Sequence, residues 1–135
     1  MIGLVIVAHQ GLAEALLATT EHVVGPQRNA FAISIGPNAD LRAKRAEIDR
    51  AVAQAERGSG VVIVTDMFGG TPSNLALGAS GSDQIEVIYG ANLPMLVKLA
   101  KMRSRSMAEA TEAALEAGRK YVNSASAILE TPTVT

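Results

Sequence analysis

Four short apolar runs, each rich in β-branched residues, constrain the fold of this chain more than any other feature of its sequence. They are Ile2 to Ala8, Phe31 to Ile35, Val61 to Thr65 and Ile85 to Tyr89. A run of this length with apolar residues at nearly every position is typical of a strand that is buried on both faces. We therefore predict that these runs form the four central strands of one sheet.

Helical stretches separate the four strands and follow the last of them. They are Leu12 to Val24, Asp40 to Arg57, Ser73 to Ala79, Leu93 to Ala100 and Met107 to Val122. Because strand and helix alternate, the chain is predicted to form an α/β fold with an open, mainly parallel sheet and helices on both faces. Ligands bind at the carboxyl ends of the strands in such folds, so functional side chains are expected directly after each strand.

The C-terminal residues give a weaker signal. Ser124 to Glu130 have weak strand character and are predicted to pair antiparallel, either at an edge of the sheet or with a second subunit. Thr131 to Thr135 are expected to form a loose tail. The turns that contain Gly and Pro are too short to be interdomain linkers, so residues 1–130 are predicted to form a single domain.

The composition argues against several classes of function. The chain has 12 basic and 13 acidic residues and a formal net charge of -1, which gives no basic surface for nucleic acid or anionic lipid. It has no cysteine and only two histidines, so it offers neither a thiol nucleophile nor a zinc-ligand pattern. No dinucleotide or nucleoside triphosphate fingerprint is present, and we expect no cofactor and no metal. The apolar start is too short to insert into a membrane, and we expect a cytoplasmic protein.

His9 is the first candidate functional residue. It follows the first predicted strand and precedes Gly11 and a helix, which places an imidazole beside a helix N-terminus. Unpaired backbone N–H groups and the helix dipole favour anions there, so Gly11 is a candidate phosphate-binding residue. At neutral pH much of an imidazole is an unprotonated nucleophile that can form a covalent intermediate. A histidine here could also simply end the strand, whereas His22, toward the end of the helix, is assigned a structural role.

The most informative segment is the loop directly after the third strand. In a parallel sheet Asp66 would come near His9, where a carboxylate can fix the imidazole tautomer and stabilise the imidazolium. Glycines let the backbone approach an anion closely, and Thr71 is a candidate cap for the next helix. An ordinary strand-to-helix turn is the alternative interpretation. The candidate phosphate-binding residues of the loop are Gly69, Gly70, Thr71 and Ser73.

A third turn with residues typical of a helix start follows the fourth strand. Asn92 is a candidate helix cap and Pro94 suits the first helical turn, so a structural role is favoured for Pro94. Exposed methionine and aromatic side chains would suit a protein partner, with core packing as the alternative. The candidates for such an apolar rim are Met67, Phe68 and Met95.

These motifs resemble those of the mannose-type IIA family of the bacterial sugar phosphotransferase system. The resemblance rests on an apolar strand that ends at His9, the loop Asp66 to Asn74 and the turn Gly90 to Leu96. Three separated motifs in this order, each after a predicted strand, are much more specific than any one of them alone.

The resemblance implies a phosphotransferase with a transient phosphohistidine. His9 would accept a phosphoryl group from the histidine phosphocarrier protein HPr and pass it to a IIB component, with Asp66 hydrogen-bonded to the imidazole. It also implies a homodimer, in which Ser124 to Glu130 is the candidate for a strand exchanged between subunits. Because no IIB domain is fused to the chain, the acceptor is expected to be a separate polypeptide, and regulation of a partner is an additional role.

Two residues differ from the family pattern, and two other functions stay open. Gln10 follows the histidine where relatives often have Gly or Ser, and Met67 replaces a larger or Leu-type residue.

The phosphotransferase subunit of dihydroxyacetone kinase is one alternative, ranked lower because the Gly-Gly-Thr-Pro-Ser-Asn motif resembles the sugar branch. A non-catalytic regulatory module that binds a small anion or a partner is the other, whereas the scarcity of aromatic residues argues against a flavin-binding protein.

Overall fold

A four-stranded parallel sheet lies at the centre of the computed structural model, which describes residues 1–79 and 84–130. The sheet order is β2-β1-β3-β4, and every neighbouring pair is parallel. This arrangement confirms the predicted open α/β fold. The strands are β1 Gly3–His9, β2 Ala30–Ile35, β3 Val61–Thr65 and β4 Ile85–Ile88.

The described residues also form six helices, and five of them cover the two faces of the sheet. Helices α1, α4 and α5 pack on one face, and α2 and α3 pack on the other. The predicted boundaries are correct to within about two residues for the first five helices. The helices are α1 Leu12–Val24, α2 Leu41–Ala55, α3 Thr71–Gly78, α4 Leu93–Lys101, α5 Met107–Lys120 and α6 Ala125–Glu130.

Strand β1 is buried between the two helical layers because its apolar side chains alternate between them. Leu4 and Ile6 face the core under α1, α4 and α5, whereas Val5 and Val7 face the core under α2 and α3. The chain passes so close to α2 at Gly3 that a Cβ atom there would overlap the backbone of Ala55. Burial on both faces fixes the position of the strand and therefore of the residue at its carboxyl end.

A buried arginine holds the amino end of the sheet together. Arg103 is 2% exposed, and its guanidinium donates hydrogen bonds to the backbone oxygens of Ile2 (2.7 Å) and Asn29 (2.9 Å) and to the side-chain oxygen of Gln27 (3.1 Å). Burial lowers the pKa of the guanidinium from its ordinary value. The three acceptors compensate for the removal of the charge from water, so the segments before β1 and β2 are tied to the loop after α4.

The C-terminal strand predicted for residues 124–130 is wrong. Ala125–Glu130 forms helix α6, and the Ser124 hydroxyl accepts a hydrogen bond of 3.1 Å from the backbone N–H of Ala127. The segment is rich in alanine, leucine and glutamate, which favour a helix, and serine favours the cap position. The predicted loose tail, residues 131–135, lies outside the described residues. Among the helices described, none has the length and apolar character needed to cross a bilayer.

Candidate functional site

His9 lies at the carboxyl end of the central strand, where the sheet meets the helical layer. It is the last residue of β1 rather than the first residue after it, and its side chain is 45% exposed. The neighbouring Gly11 is the N-cap residue of α1. The buried strand therefore holds the backbone of His9 in place, while part of its ring is accessible to solvent.

Asp66 holds His9 through two hydrogen bonds to the same carboxylate oxygen. The backbone N–H of His9 donates to Asp66 Oδ2 at 3.0 Å, and the His9 ring nitrogen Nδ1 lies 2.8 Å from it. An ionised carboxylate can only accept hydrogen bonds, so Nδ1 carries the proton. The other ring nitrogen, Nε2, therefore has a free lone pair when the ring is neutral.

The environment of Asp66 keeps its carboxyl group ionised. Burial is the largest influence and by itself would raise the pKa, since the side chain is 11% exposed. The backbone and ring hydrogen bonds from His9, together with the charge on that ring, outweigh burial and lower the pKa below its usual range. At neutral pH a negative charge therefore lies against Nδ1 and would stabilise a positive imidazole ring.

Gly70 lies directly against the free nitrogen of His9. A Cβ atom added there would be 3.4 Å from Nε2 and 3.5 Å from Cε1 of the ring, and the φ of Gly70 is +84°. Both observations favour glycine at this position. Gly70 is also the N-cap of α3, without a side-chain cap, so the prediction that Thr71 caps this helix is wrong; Thr71 is its first residue. The N-terminus of α3 thus faces Nε2.

An open cavity of about 350 Å³ adjoins His9. Its walls come from the ends of β1 and β2, the turn after β2 and the first residues of α2 and α3. Among residues 1–79 and 84–130, no lysine or arginine lines it. The polar members are His9, Gln10 and Thr71. The remaining lining residues are Ile35, Gly36, Pro37, Ala39 and Leu41.

Four of the five predicted phosphate-binding residues, Gly11, Gly69, Gly70 and Ser73, are not among the residues that line this cavity. Gly11 is exposed at the start of α1, and a Cβ added at Gly69 would meet nothing within 4 Å. Ser73 is buried in the first turn of α3, and its hydroxyl has no hydrogen-bond partner among the described residues. Of the predicted site residues, Asp66 is therefore hydrogen-bonded to the ring, Gly70 lies beside it, and Thr71 lines the same cavity.

Part of the predicted apolar rim is exposed and part is not. Phe68 is 74% exposed and contacts Tyr89 edge to face, with ring centroids 5.0 Å apart, and Met67 is exposed beside it. The placement of Met95 on the rim is wrong, because its side chain is buried in the core against Gly118. Met67 and Phe68 therefore form an exposed apolar surface in the same loop as Asp66.

The turn after β4 has the structural role that its residues indicate. The Asn92 side chain accepts a hydrogen bond from the backbone N–H of Met95 at 3.0 Å and donates one to the backbone oxygen of Gly118 at 2.9 Å. Pro94 lies in the first turn of α4. These two hydrogen bonds join the start of α4 to the end of α5. No residue of this turn is among the described residues that line the cavity beside His9.

Sequence reasoning missed the contribution of the turn after β2. Pro37 and Leu41 line the cavity, and Leu41 is the first residue of α2. The signal was present, because Gly36 and Pro37 follow a strand that is parallel to β1 and must end at the same edge of the sheet.

In residues 1–79 and 84–130, no group of three or more His, Cys, Asp or Glu side chains is placed to hold a metal ion.

Comparisons with known proteins agree on one family. A family model described as "EIIA-man: PTS system fructose IIA component" matches residues 3–116. The chain is 33% identical over 124 residues to the "PTS system mannose-specific EIIAB component" of Escherichia coli (strain K12), which covers 90% of this chain but only 38% of that protein. It is 26% identical over 104 residues to the "PTS system fructose-specific EIIA component" of Bacillus subtilis (strain 168), covering 76% and 71%.

Solved structures show the same architecture. The mannose/sorbose-specific IIA subunit of the phosphotransferase system from Enterococcus faecalis superposes with a TM-score of 0.82 at 26% identity. The superposition covers 99% of this chain and 98% of that one. The similarity therefore extends over both helical layers and over the sheet edge that carries His9.

Proposed function

Since this chain belongs to the EIIA-man family of phosphotransferase-system IIA components, we propose that it is a phosphocarrier whose His9 accepts a phosphoryl group from phospho-HPr and passes it to a IIB component. The hydrogen bond between His9 Nδ1 and Asp66 carries the proposal. It leaves Nε2 as the free nucleophile, and Nε2 faces the N-terminus of α3 beside an open cavity. A module that only binds a ligand would not need an imidazole with the proton held on Nδ1 and a free lone pair on Nε2.

In the proposed reaction, the lone pair of His9 Nε2 attacks the phosphorus atom of the phosphohistidine on the donor. The new P–Nε2 bond forms as the donor's P–N bond breaks, and the donor ring keeps the electron pair of the broken bond. The His9 ring becomes positively charged, which the ionised Asp66 stabilises through the proton on Nδ1. Transfer to IIB returns the electron pair of the P–Nε2 bond to His9.

Backbone groups at the N-terminus of α3 would hold the phosphoryl oxygens. The first hydrogen bond within this helix runs from the backbone N–H of Asn74 to the backbone oxygen of Gly70, so the N–H groups of Thr71 and Ser73 precede the helical ladder. Such groups, with the positive end of the helix dipole, favour a phosphate. The proposed phosphate-binding set is Gly11, Gly69, Gly70, Thr71 and Ser73, of which Gly70 lies beside Nε2 and Thr71 lines the cavity.

Phosphorylation of the purified protein tests the proposal. Incubation with enzyme I, HPr and phosphoenolpyruvate is expected to add one phosphoryl group to the chain, detected by intact mass and lost in acid as a phosphohistidine. Subsequent addition of a IIB protein should remove it. An unmodified chain in a mixture where HPr itself is phosphorylated would contradict the carrier function and favour the regulatory binding module.

The glycine beside Nε2 provides a test of the geometry. Gly70→Ala is expected to slow phosphoryl acceptance by at least about tenfold, because its methyl group would lie 3.4 Å from the attacking nitrogen. Gly25→Ala is the matched control, because Gly25, after α1, has nearly the same φ and ψ as Gly70 (+92° and 170° against +84° and 177°) and a Cβ there would meet nothing within 4 Å. Rates from rapid-quench mass spectrometry should fall only for Gly70→Ala, while both variants lose about 1–3 kcal/mol of stability. Equal rates in the two variants would remove Gly70 from the site.

We also propose that the protein is a single-domain, cytoplasmic homodimer that associates through its C-terminal segment. Every residue of α6 is exposed, and Leu129 is 83% exposed. Tyr121, Val122 and Ile128 add to this apolar surface, which favours burial against a second copy. Light scattering should give a mass of two chains for the full protein and of one chain after removal of residues 123–135. A full-length monomer at micromolar concentration would exclude the dimer.

A further inference from the structure

Gln10, directly after His9, has a backbone conformation that is uncommon for its residue type. Its φ is +54°, in the left-handed region. The other described non-glycine residue with a positive φ is Asn29, and asparagine adopts this region more readily than glutamine. The Gln10 N–H donates to the backbone oxygen of Ile35 at 3.0 Å, which holds the conformation. A glycine would adopt it without strain, so glutamine here has a conformational cost that directs attention to its side chain.

The Gln10 side chain lies at the site but is not used to build it. It is exposed, and within residues 1–79 and 84–130 its amide makes no hydrogen bond. It lines the same cavity as the imidazole of His9 and the hydroxyl of Thr71, and the other lining side chains are apolar or absent. A side-chain amide offers two N–H donors, carries no charge and does not titrate. Gln10 therefore brings an unpartnered donor to a cavity that has few of them.

We propose that Gln10 is a catalytic residue of phosphotransfer whose side-chain Nε2 donates a hydrogen bond to an oxygen of the phosphoryl group on His9. This assignment rests on the proposed function. As the P–N bond of the donor breaks and the bond to His9 Nε2 forms, the three terminal phosphoryl oxygens keep their negative charge. The amide donates to one of these oxygens and no proton moves. The hydrogen bond is charge-assisted, which makes it stronger than one between neutral groups.

Two substitutions separate the donor from the backbone strain. Gln10→Met keeps a side chain of similar length and the left-handed strain but has no donor, whereas Gln10→Gly removes both the donor and the strain. Both variants are expected to accept the phosphoryl group from phospho-HPr about tenfold more slowly than the wild type. Gln10→Gly should at the same time unfold at an equal or higher temperature than the wild type. A wild-type rate in either variant overturns the assignment.

A spectroscopic measurement detects the hydrogen bond directly. In protein labelled with ¹⁵N-glutamine, the side-chain signal that disappears in Gln10→Met identifies the Gln10 amide. One of its proton resonances is expected to move downfield when the wild type is phosphorylated, while the signal of Gln54 on α2 stays in place. A phosphorylated wild type with an unmoved Gln10 amide overturns the assignment and leaves the proposed function intact. A wild type that accepts no phosphoryl group overturns the proposed function and this assignment with it.

Discussion

Replacing His9 with alanine is expected to abolish phosphoryl acceptance, with a loss of rate on the order of 10⁴-fold or more. The substitution removes Nε2, the nucleophile whose direction is fixed by the bond between Nδ1 and Asp66. The mass of the variant after incubation with enzyme I, HPr and phosphoenolpyruvate should remain that of the unmodified chain. Its fold should persist, because the His9 side chain is 45% exposed.

The second histidine provides the matched control. His22 is exposed in the last turn of α1 and is not among the residues that line the cavity. His22→Ala should accept the phosphoryl group at the wild-type rate, and the acid-labile adduct should map to a peptide that contains His9. A phosphoryl adduct that persists in His9→Ala and disappears in His22→Ala would transfer the carrier role to the other histidine.

Asp66→Asn is expected to have the next largest effect, a loss of rate of about 100- to 1,000-fold. The amide keeps the shape of the carboxylate, and its oxygen can still accept a hydrogen bond from His9. It carries no charge, however, so it cannot stabilise the positive ring that forms as Nε2 takes the phosphoryl group. Single-turnover rates with phospho-HPr measure the loss. A rate within threefold of the wild type would mean that the carboxylate only supports the backbone of His9.

The same substitution should change how stability depends on pH. Because the pKa of Asp66 is lower in the folded chain than in the unfolded chain, ionisation contributes stability above the unfolded value of about 3.9. This contribution disappears as the pH falls through the lower, folded pKa. Denaturant unfolding of wild type and Asp66→Asn should therefore show a difference in free energy that shrinks as the pH falls below about 4. A difference that is independent of pH would contradict the coupling.

The sheet and the edge that carries the site could be predicted because they depend on simple patterns. Continuous apolar runs identify buried strands, and alternation with helices makes those strands parallel. Parallel strands end at one edge, so His9 and Asp66 meet although they are 57 residues apart in sequence. The proximity of the two side chains thus follows from topology, without any local signal that links them.

Other features could not be predicted because they depend on three-dimensional contacts. Arg103 is a charged residue whose burial depends on acceptors that lie more than 70 residues away in sequence. The left-handed backbone of Gln10 depends on a hydrogen bond to the next strand of the sheet. Residues 125–130 were assigned to the wrong element because weak strand propensity competes with a serine cap and helix-forming residues, and the cap prevailed.

In the part of the chain that the structure describes, no lysine or arginine lines the cavity beside His9, and this has an energetic consequence. A cationic clamp would bind the phosphorylated ring more tightly, and each 1.4 kcal/mol of such binding would cost about tenfold in the equilibrium for handing the group on. In the proposed phosphocarrier, neutral donors and a helix N-terminus would hold the phosphoryl group more loosely. A phosphocarrier must release the phosphoryl group as readily as it accepts it. This cavity would therefore suit transfer steps with small changes in free energy in both directions.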